Sequence, residues 1–307
     1  MKQEYDVIII GSGPAGLAAA IYTGRAQHRT LILEGAVLGG NVAITDQIDN
    51  YPGFSFGISG DELIENMWRQ AQRFGAELKY EQVLQLEDMG TGKKIVTAGS
   101  EYLAKAVIVA VGAKRKKMGL AKEEDFMGRG VSYCATCDGA FFKDAPVAVV
   151  GGGETAFKEA LYLAGIAAQV YLIHRRDEFR ASKTSVDRLL KEPNIIVKTD
   201  KIVKELRGGD MLNAIVLEDV KTQETETINA EGLFVSVGMV AAGEFLENLL
   251  DNEGGYLKTS SDQMLETSMK GVFAAGDIRS KNVRQIATAV GDGAIAGMSV
   301  SEYLKQL

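Results

Sequence analysis

VIIIGSGPAG, residues 7–16, decides the fold. Four apolar residues, Val7-Ile8-Ile9-Ile10, run directly into Gly11-Ser12-Gly13-Pro14-Ala15-Gly16, and a small-residue helix is expected from Leu17 to about Ala26. A second apolar strand, Thr30 to Leu33, ends at Glu34. Strand, glycine-rich turn, helix, strand and acid in that order are the opening of a dinucleotide-binding βαβ unit. Gly11 makes the turn, Gly13 lets a pyrophosphate approach the helix N-terminus, and Gly16 lets the helix pack closely on the strand. Glu34 is placed to accept hydrogen bonds from ribose hydroxyls.

The same plan returns later in the chain. Val147 to Val150 leads into Gly151-Gly152-Gly153, then a helix from Thr155 to about Gly165 and a strand from Val170 to Ile173, with Ala156 at the third small position. Each copy is followed by three short strands of a meander: Val83–Leu86, Lys94–Ala98 and Glu101–Leu103 in the first, and Ile202–Leu206, Leu212–Glu218 and Thr225–Ile228 in the second. Each then closes with an apolar strand ending in Val-Gly, Ile108 to Gly112 and Phe234 to Gly238. The class is therefore α/β, with two Rossmann-like dinucleotide-binding domains. A helix inserted in the first copy is expected over Asp61 to Phe74, where Leu63, Met67, Ala71 and Phe74 share one face. Past Gly238, a strand at Val272–Ala275, the pair Gly276-Asp277 and a helix from about Arg284 to Leu304 return to complete the first domain, making it discontinuous.

Charge distinguishes the two nucleotide sites. A carboxylate such as Glu34 favours a free ribose hydroxyl and repels a 2'-phosphate. The second module instead ends its strand in His174-Arg175-Arg176 with Arg180 nearby, and guanidinium groups fork onto a phosphate. The second site is therefore expected to take NADPH.

The chain has 307 residues, of which 46% are hydrophobic and 35 are glycine, enough for two domains with large cores. A net charge of -7 argues against nucleic acid or an anionic membrane as partner. No apolar run reaches membrane-spanning length and Met1 to Asp6 carries no leader-like stretch, so a cytoplasmic protein is expected.

The two cysteines, Cys134 and Cys137, form one C-x-x-C between the two glycine-rich loops. One thiolate of such a pair attacks while its neighbour resolves the mixed disulfide. Zinc needs four ligands, and the complete cysteine and histidine inventory is Cys134, Cys137, His28 and His174. His28 follows the first nucleotide-binding helix and His174 ends a predicted strand, so neither has the spacing of a metal pair and no metal is expected. A four-residue disulfide loop removes little chain entropy, which weakens a purely structural reading. Moving two electrons from NADPH to sulfur requires a carrier, so the first site is expected to hold FAD, with Gly276-Asp277 within reach of its ribitol or pyrophosphate.

Taken together, these motifs resemble the bacterial low-molecular-weight thioredoxin reductases over essentially the whole chain. The resemblance rests on Gly11 to Gly16, Asn50-Tyr51-Pro52-Gly53, Cys134-Ala135-Thr136-Cys137-Asp138-Gly139 and Gly151-Gly152-Gly153. It continues through His174-Arg175-Arg176 with Phe179-Arg180-Ala181, Gly276-Asp277, Arg284-Gln285-Ile286-Ala287-Thr288-Ala289 and Gly291-Asp292-Gly293. It implies a homodimeric flavoenzyme that reduces thioredoxin, with an FAD domain over 1–113 and 243–307 and an NADPH domain over 114–242. Hinges are implied near Ala113-Lys114 and Val240 to Gly243. Gly40, Asn41, Asn50, Arg284, Gln285, Ile286 and Ala287 join the implied FAD set, and Gly153, Glu154 and Thr155 the NADPH set. Cys137 is then the flavin-side sulfur, Cys134 the nucleophile toward thioredoxin, and Asp138 the proton donor to the departing thiolate. Three positions depart from the family pattern: Asn41 stands for a glutamine, Lys158 for a glutamate, and Met239-Val240-Ala241-Ala242 lacks a Pro-Asn. Lys158 keeps open a rival that draws electrons from ferredoxin. Other rivals are a flavin-dependent dithiol oxidase and a non-catalytic redox sensor.

Overall fold

Val7 and Ile9 point to one side of a central strand and Ile8 and Ile10 to the other, and all four are almost fully buried, so both faces of the sheet are covered. The computed structural model describes residues 3–45, 47–246, 248–260 and 264–307, with Gln3 and Cys137 described by backbone alone. In chain order the first elements are β1 (Gln3–Ile10), α1 (Pro14–Arg25), β2 (Thr30–Leu33), α2 (Gly60–Arg73), β3 (Glu77–Lys79), β4 (Val83–Asp88), β5 (Lys93–Thr97), β6 (Glu101–Val109) and β7 (Ala113–Arg115). Next come β8 (Val131–Ser132), α3 (Ala135–Asp138), β9 (Pro146–Val150), α4 (Glu154–Ala164), β10 (Gln169–Ile173), α5 (Lys183–Leu189), β11 (Ile195–Lys198), β12 (Lys201–Gly208), β13 (Leu212–Asp219), β14 (Thr225–Asn229) and β15 (Gly232–Val235). The chain ends with β16 (Met239–Ala241), β17 (Asn252–Glu253), β18 (Tyr256–Leu257), β19 (Val272–Ala274) and α6 (Ile286–Leu304).

Two compact units result, Met1–Lys114 with Val240–Leu307, and Arg115–Met239. In the first, β1 lies between β2 and β6 with parallel register, so the Gly11–Gly16 turn sits at the carboxyl end of β1 where strand order reverses. Strand β6 is one unbroken element, where the sequence pattern suggests two. No turn residue interrupts Glu101 to Val109, and the strand is long enough to serve several neighbours. Along one edge it pairs with β1; along the other its first half pairs antiparallel with β5 and its second half parallel with β19. Helix α1 begins at Pro14, three residues before the expected start, because proline has no N–H to lose in a first turn and Gly13 (φ −65°, ψ 179°) caps it. Helix α6 packs on α1 through small residues: a Cβ on Gly293 would sit 2.1 Å from the Ala15 carbonyl oxygen, and one on Gly297 2.8 Å from Tyr22 Cβ.

The second unit has an all-parallel sheet in the order β11-β10-β9-β15-β8, and its meander β12-β13-β14 forms a separate antiparallel sheet. Here Ala230-Glu231 separates β14 from β15, so the two sheets part where β6 keeps them joined in the first unit. The approach to β8 is tied down by Glu123, 2% exposed, which accepts the backbone N–H groups of Met118 (2.9 Å), Gly119 (2.7 Å) and Leu120 (3.2 Å) and the Tyr133 hydroxyl. Burial pushes its carboxyl up, but the Tyr133 hydroxyl and the three N–H donors together hold it below the ordinary value of 4.5. A depressed carboxylate adds stability above its unfolded value, and that stability is lost as pH falls through the folded one. Glu123→Gln is thus expected to cost about 1–3 kcal/mol at neutral pH in denaturant unfolding. The gap from the native protein should close as the titration is carried below pH 4.5. A gap that is the same at both pH values would contradict the assignment.

Candidate active site

In the first unit the carboxyl ends of β1, β2 and β6 open into a cleft of about 360 Å3. Its lining includes Gly11, Ser12, Gly13, Pro14, Ala15, Glu34, Gly40, Asn41, Gly276, Asp277, Gln285 and Ile286. Gly16, Asn50, Arg284 and Ala287 are not among its lining residues. Gly11 (φ +102°) has no room for a Cβ, which would meet the Ala110 carbonyl oxygen at 2.5 Å. The Gly13 position is open, with the nearest atom, Gly39 O, 4.0 Å from a Cβ there. Glu34 Oε2 accepts the Ser12 N–H (2.9 Å) and hydroxyl (2.6 Å), and Oε1 accepts the Ala36 N–H (2.9 Å), so the carboxylate is fixed at the rim of the glycine turn. Asn50 works behind the cleft, donating to Gln285 Oε1 at 3.0 Å, while Gln285 caps α6. The Arg284 guanidinium lies 4.1 Å from the Tyr256 ring centroid, a cation-π contact. Asn41 donates to the Ala113 carbonyl at 2.7 Å.

The second unit repeats the turn with Gly151-Gly152-Gly153 leading into α4. Gly153 is open to solvent space, while a Cβ on Gly152 would strike the His174 ring at 2.2 Å. His174 is buried, with Nε2 3.1 Å from the Glu178 carbonyl oxygen and its ring against Phe179. Burial, reinforced by Arg175, Arg176 and Arg180, lowers its pKa and outweighs the Glu178 carbonyl, so the ring is neutral at pH 7. Arg175, Arg176 and Arg180 are exposed, and among the described residues none of them is in an ion pair; Asp177 turns instead to Lys221 at 3.6 Å. Glu154 accepts the Ser182 N–H and the Ser185 hydroxyl (2.8 Å), so it braces the loop after Arg180. Thr155 is exposed in the first turn of α4.

The cysteine segment runs from the end of β8 into α3. Cys134 is disulfide-bonded, half-buried, and its Sγ is 3.4 Å from Thr136 Oγ1. The Cys137 side chain lies outside the described residues. Asp138 closes the α3 turn, its N–H donating to Cys134 O at 3.1 Å, and its Oδ2 accepts the Ser132 hydroxyl at 2.6 Å. One structure therefore carries a glycine-rich turn with an acid at its rim, a second with exposed arginines beyond it, and a disulfide-bonded Cys134 with Asp138 closing the turn that follows.

Comparison with known proteins agrees with that geometry. The pyridine nucleotide-disulphide oxidoreductase family matches residues 5–293. The chain is 46% identical to the thioredoxin reductase of Bacillus subtilis, covering 100% of this chain and 98% of that one. It is 43% identical to that of Treponema pallidum, covering 100% and 99%. Among solved structures, the thioredoxin reductase of Lactococcus lactis is similar at a TM-score of 0.89 with 42% identity, covering 99% of this chain and 100% of that chain. The chain belongs to the low-molecular-weight thioredoxin reductases of this family.

As a member of the family it is an NADPH-dependent flavoprotein that binds FAD and NADPH. The residues fit FAD: the Gly13 approach is clear, and Asp277 Oδ1 is buried on the cleft with no hydrogen-bond partner among the described residues. Burial raises the Asp277 pKa against the pull of Lys281 and Arg284, as suits a side chain that meets a polar ligand group. What holds Asp277 there is Asp292, which belongs to the Gly291-Asp292-Gly293 motif but has no role in the site read from the sequence. Asp292 accepts the Gly276 N–H (3.0 Å) and Lys281 Nζ (2.8 Å) on Oδ2, and Arg279 on Oδ1 (2.8 Å). A single acid in the otherwise small and apolar run Ile286 to Val300 was its visible signal. Glu159 is a second support of this reductase: it accepts the Ser236 hydroxyl and the Ala135 N–H and lies 3.5 Å from Arg115, and burial raises its pKa. Lys158, one residue before it, is exposed and faces Glu154 one helical turn back. Among the described residues no cluster of three or more metal-ligating side chains exists, and no helix is long and apolar enough to cross a membrane.

Proposed function

We propose that this reductase passes electrons from NADPH, by way of FAD, to the Cys134–Cys137 disulfide and on to the disulfide of a thioredoxin. The observation that carries the order is the contrast at the ends of the two second strands: Glu34 on one nucleotide turn, and the uncommitted Arg175, Arg176 and Arg180 on the other. Residues 1–113 with 243–307 form the FAD domain and 114–242 the NADPH domain in this reading. Gly11 to Ala15 and the α1 N-terminus receive the FAD pyrophosphate while Gly16 keeps α1 close to β1, Glu34 meets the adenosine ribose and Gly276-Asp277 the ribitol side; Gly40, Asn41, Gln285 and Ile286 complete the wall, with Asn50, Arg284 and Ala287 behind it. Gly151, Gly153, Glu154 and Thr155 frame the NADPH pyrophosphate, and the arginines fork onto its 2'-phosphate. When bound, FAD accepts a hydride from the nicotinamide and delivers two electrons to sulfur. The protein's part is acid–base and nucleophilic. Asp138 protonates the sulfur that departs, and Cys134 attacks the thioredoxin disulfide, forming a mixed disulfide that Cys137 resolves. The assembly we assign is a homodimer, and the compartment the cytoplasm.

The test is an anaerobic titration of the yellow protein, following the flavin band. NADPH should bleach it and an oxidised thioredoxin should restore it. Arg175→Ala should weaken NADPH about tenfold while changing NADH by less than about twofold, the effect of one charge-assisted contact to phosphate. Bleaching by dithionite but not by NADPH would remove the donor assignment, and equal losses for both nucleotides would remove the phosphate assignment.

A further inference from the structure

Ser132 ends β8 with 3% of its surface exposed, and its one hydroxyl stands among three polar groups of the cysteine segment. Its Oγ is 2.6 Å from Asp138 Oδ2, 3.0 Å from the Cys134 backbone nitrogen and 3.3 Å from the Cys134 carbonyl oxygen. A hydroxyl has one proton to give and two lone pairs with which to accept. The Cys134 N–H can only donate, so it holds one lone pair in every state. The hydroxyl proton has two acceptors, and the shorter, charge-assisted bond to Asp138 wins while that group is ionised. Once Asp138 carries a proton, its O–H donates to the serine oxygen, and the serine proton turns to the Cys134 carbonyl.

We propose that Ser132 is a positioning residue for the reduction step: a hydroxyl rotor that keeps Asp138 in register with Cys134 in both protonation states of the acid. The inference rests on the roles proposed above for the cysteines and Asp138. In the step it serves, two electrons originating from NADPH break the Cys134–Cys137 S–S bond and leave two sulfur anions. One anion takes the Asp138 proton; the other remains the thiolate nucleophile. Asp138, now a carboxylate, receives the Ser132 O–H bond and later regains a proton from solvent. Ser132 gains and loses no atom, and its turn compensates the charge that appears on Asp138 without moving the backbone.

The experiment uses the full-length, FAD-loaded enzyme and two variants, Ser132→Ala and Ser132→Thr. Ser132→Ala should lower kcat for thioredoxin reduction about tenfold, the scale of a lost hydrogen bond to a charged group. It should leave KM for thioredoxin, and the rate at which NADPH bleaches the flavin, within about twofold, because neither involves the acid. Ser132→Thr keeps the hydroxyl and should recover kcat to within about threefold of the native enzyme. A native kcat in Ser132→Ala, an equal loss in the threonine variant, or a matching loss in the rate of NADPH bleaching would each overturn the proposal. Native turnover by Cys134→Ser would instead remove the reading beneath it, whatever the serine variants do.

Discussion

Cys134→Ser and Cys137→Ser are each expected to abolish reduction of a thioredoxin disulfide, by at least about a thousandfold, while the protein stays yellow and NADPH still bleaches it. A hydroxyl forms no disulfide, so either change leaves the electrons without a route off the flavin. FAD retention follows from placement, since the cysteines lie just after β8 and within α3 of the second unit, whereas the cleft proposed for FAD is built wholly from residues of the first. Steady-state turnover with thioredoxin, together with the flavin absorbance ratio after gel filtration, measures both halves. Turnover above a tenth of the native rate in either variant would sink the dithiol assignment.

The second large effect separates two glycines of one motif. Gly16 carries the fold: a Cβ there would stand 2.0 Å from Gly11 O and 3.4 Å from Ile9 Cγ2, which pushes α1 off the strand it covers. Gly16→Ala should cost about 3 kcal/mol, an overpacking penalty, and the protein should lose FAD as the turn deforms. Gly13, in the proposed reading, carries the ligand. Its backbone at φ −65° suits alanine, and nothing lies closer than 4.0 Å to the added methyl group. Gly13→Ala should therefore leave thermal unfolding of the apoprotein within about 2 °C of native, yet weaken FAD ten- to about a hundredfold by standing where the pyrophosphate approaches. If both substitutions lowered stability alike, Gly13 would be a packing residue and the pyrophosphate would have to be placed elsewhere.

Both nucleotide turns were legible because their chemistry is local: a strand, a glycine where φ must be positive, and a helix start succeed one another within a dozen residues. The charge contrast between Glu34 and Arg175-Arg176 could be read for the same reason. What escaped depends on tertiary contacts. Asp292 meets Gly276, Arg279 and Lys281 across the turn that leads into α6, and Glu159 meets Ser236 and Ala135 only after β9, β15 and the cysteine segment have come together. The continuity of β6 was hidden for a different reason. Lys105 breaks the apolar pattern between the two halves, but its amine reaches out to Asp6 at 2.7 Å, so the strand passes through without a turn.

The position of β19 beside β6 has a consequence for how the molecule is made. As the chain leaves the ribosome, all of the second unit emerges before the strand and helix that finish the first, so the inserted half can reach its native form while the enclosing half still lacks an edge and a cover. The surface of α1 left bare in that interval is Ala15, Ala18 and Ala19 with Tyr22 at its end, and the three alanines offer a wandering partner little area to adhere to. Small residues that let α6 come close in the finished protein thus also make its wait for α6 a quieter one.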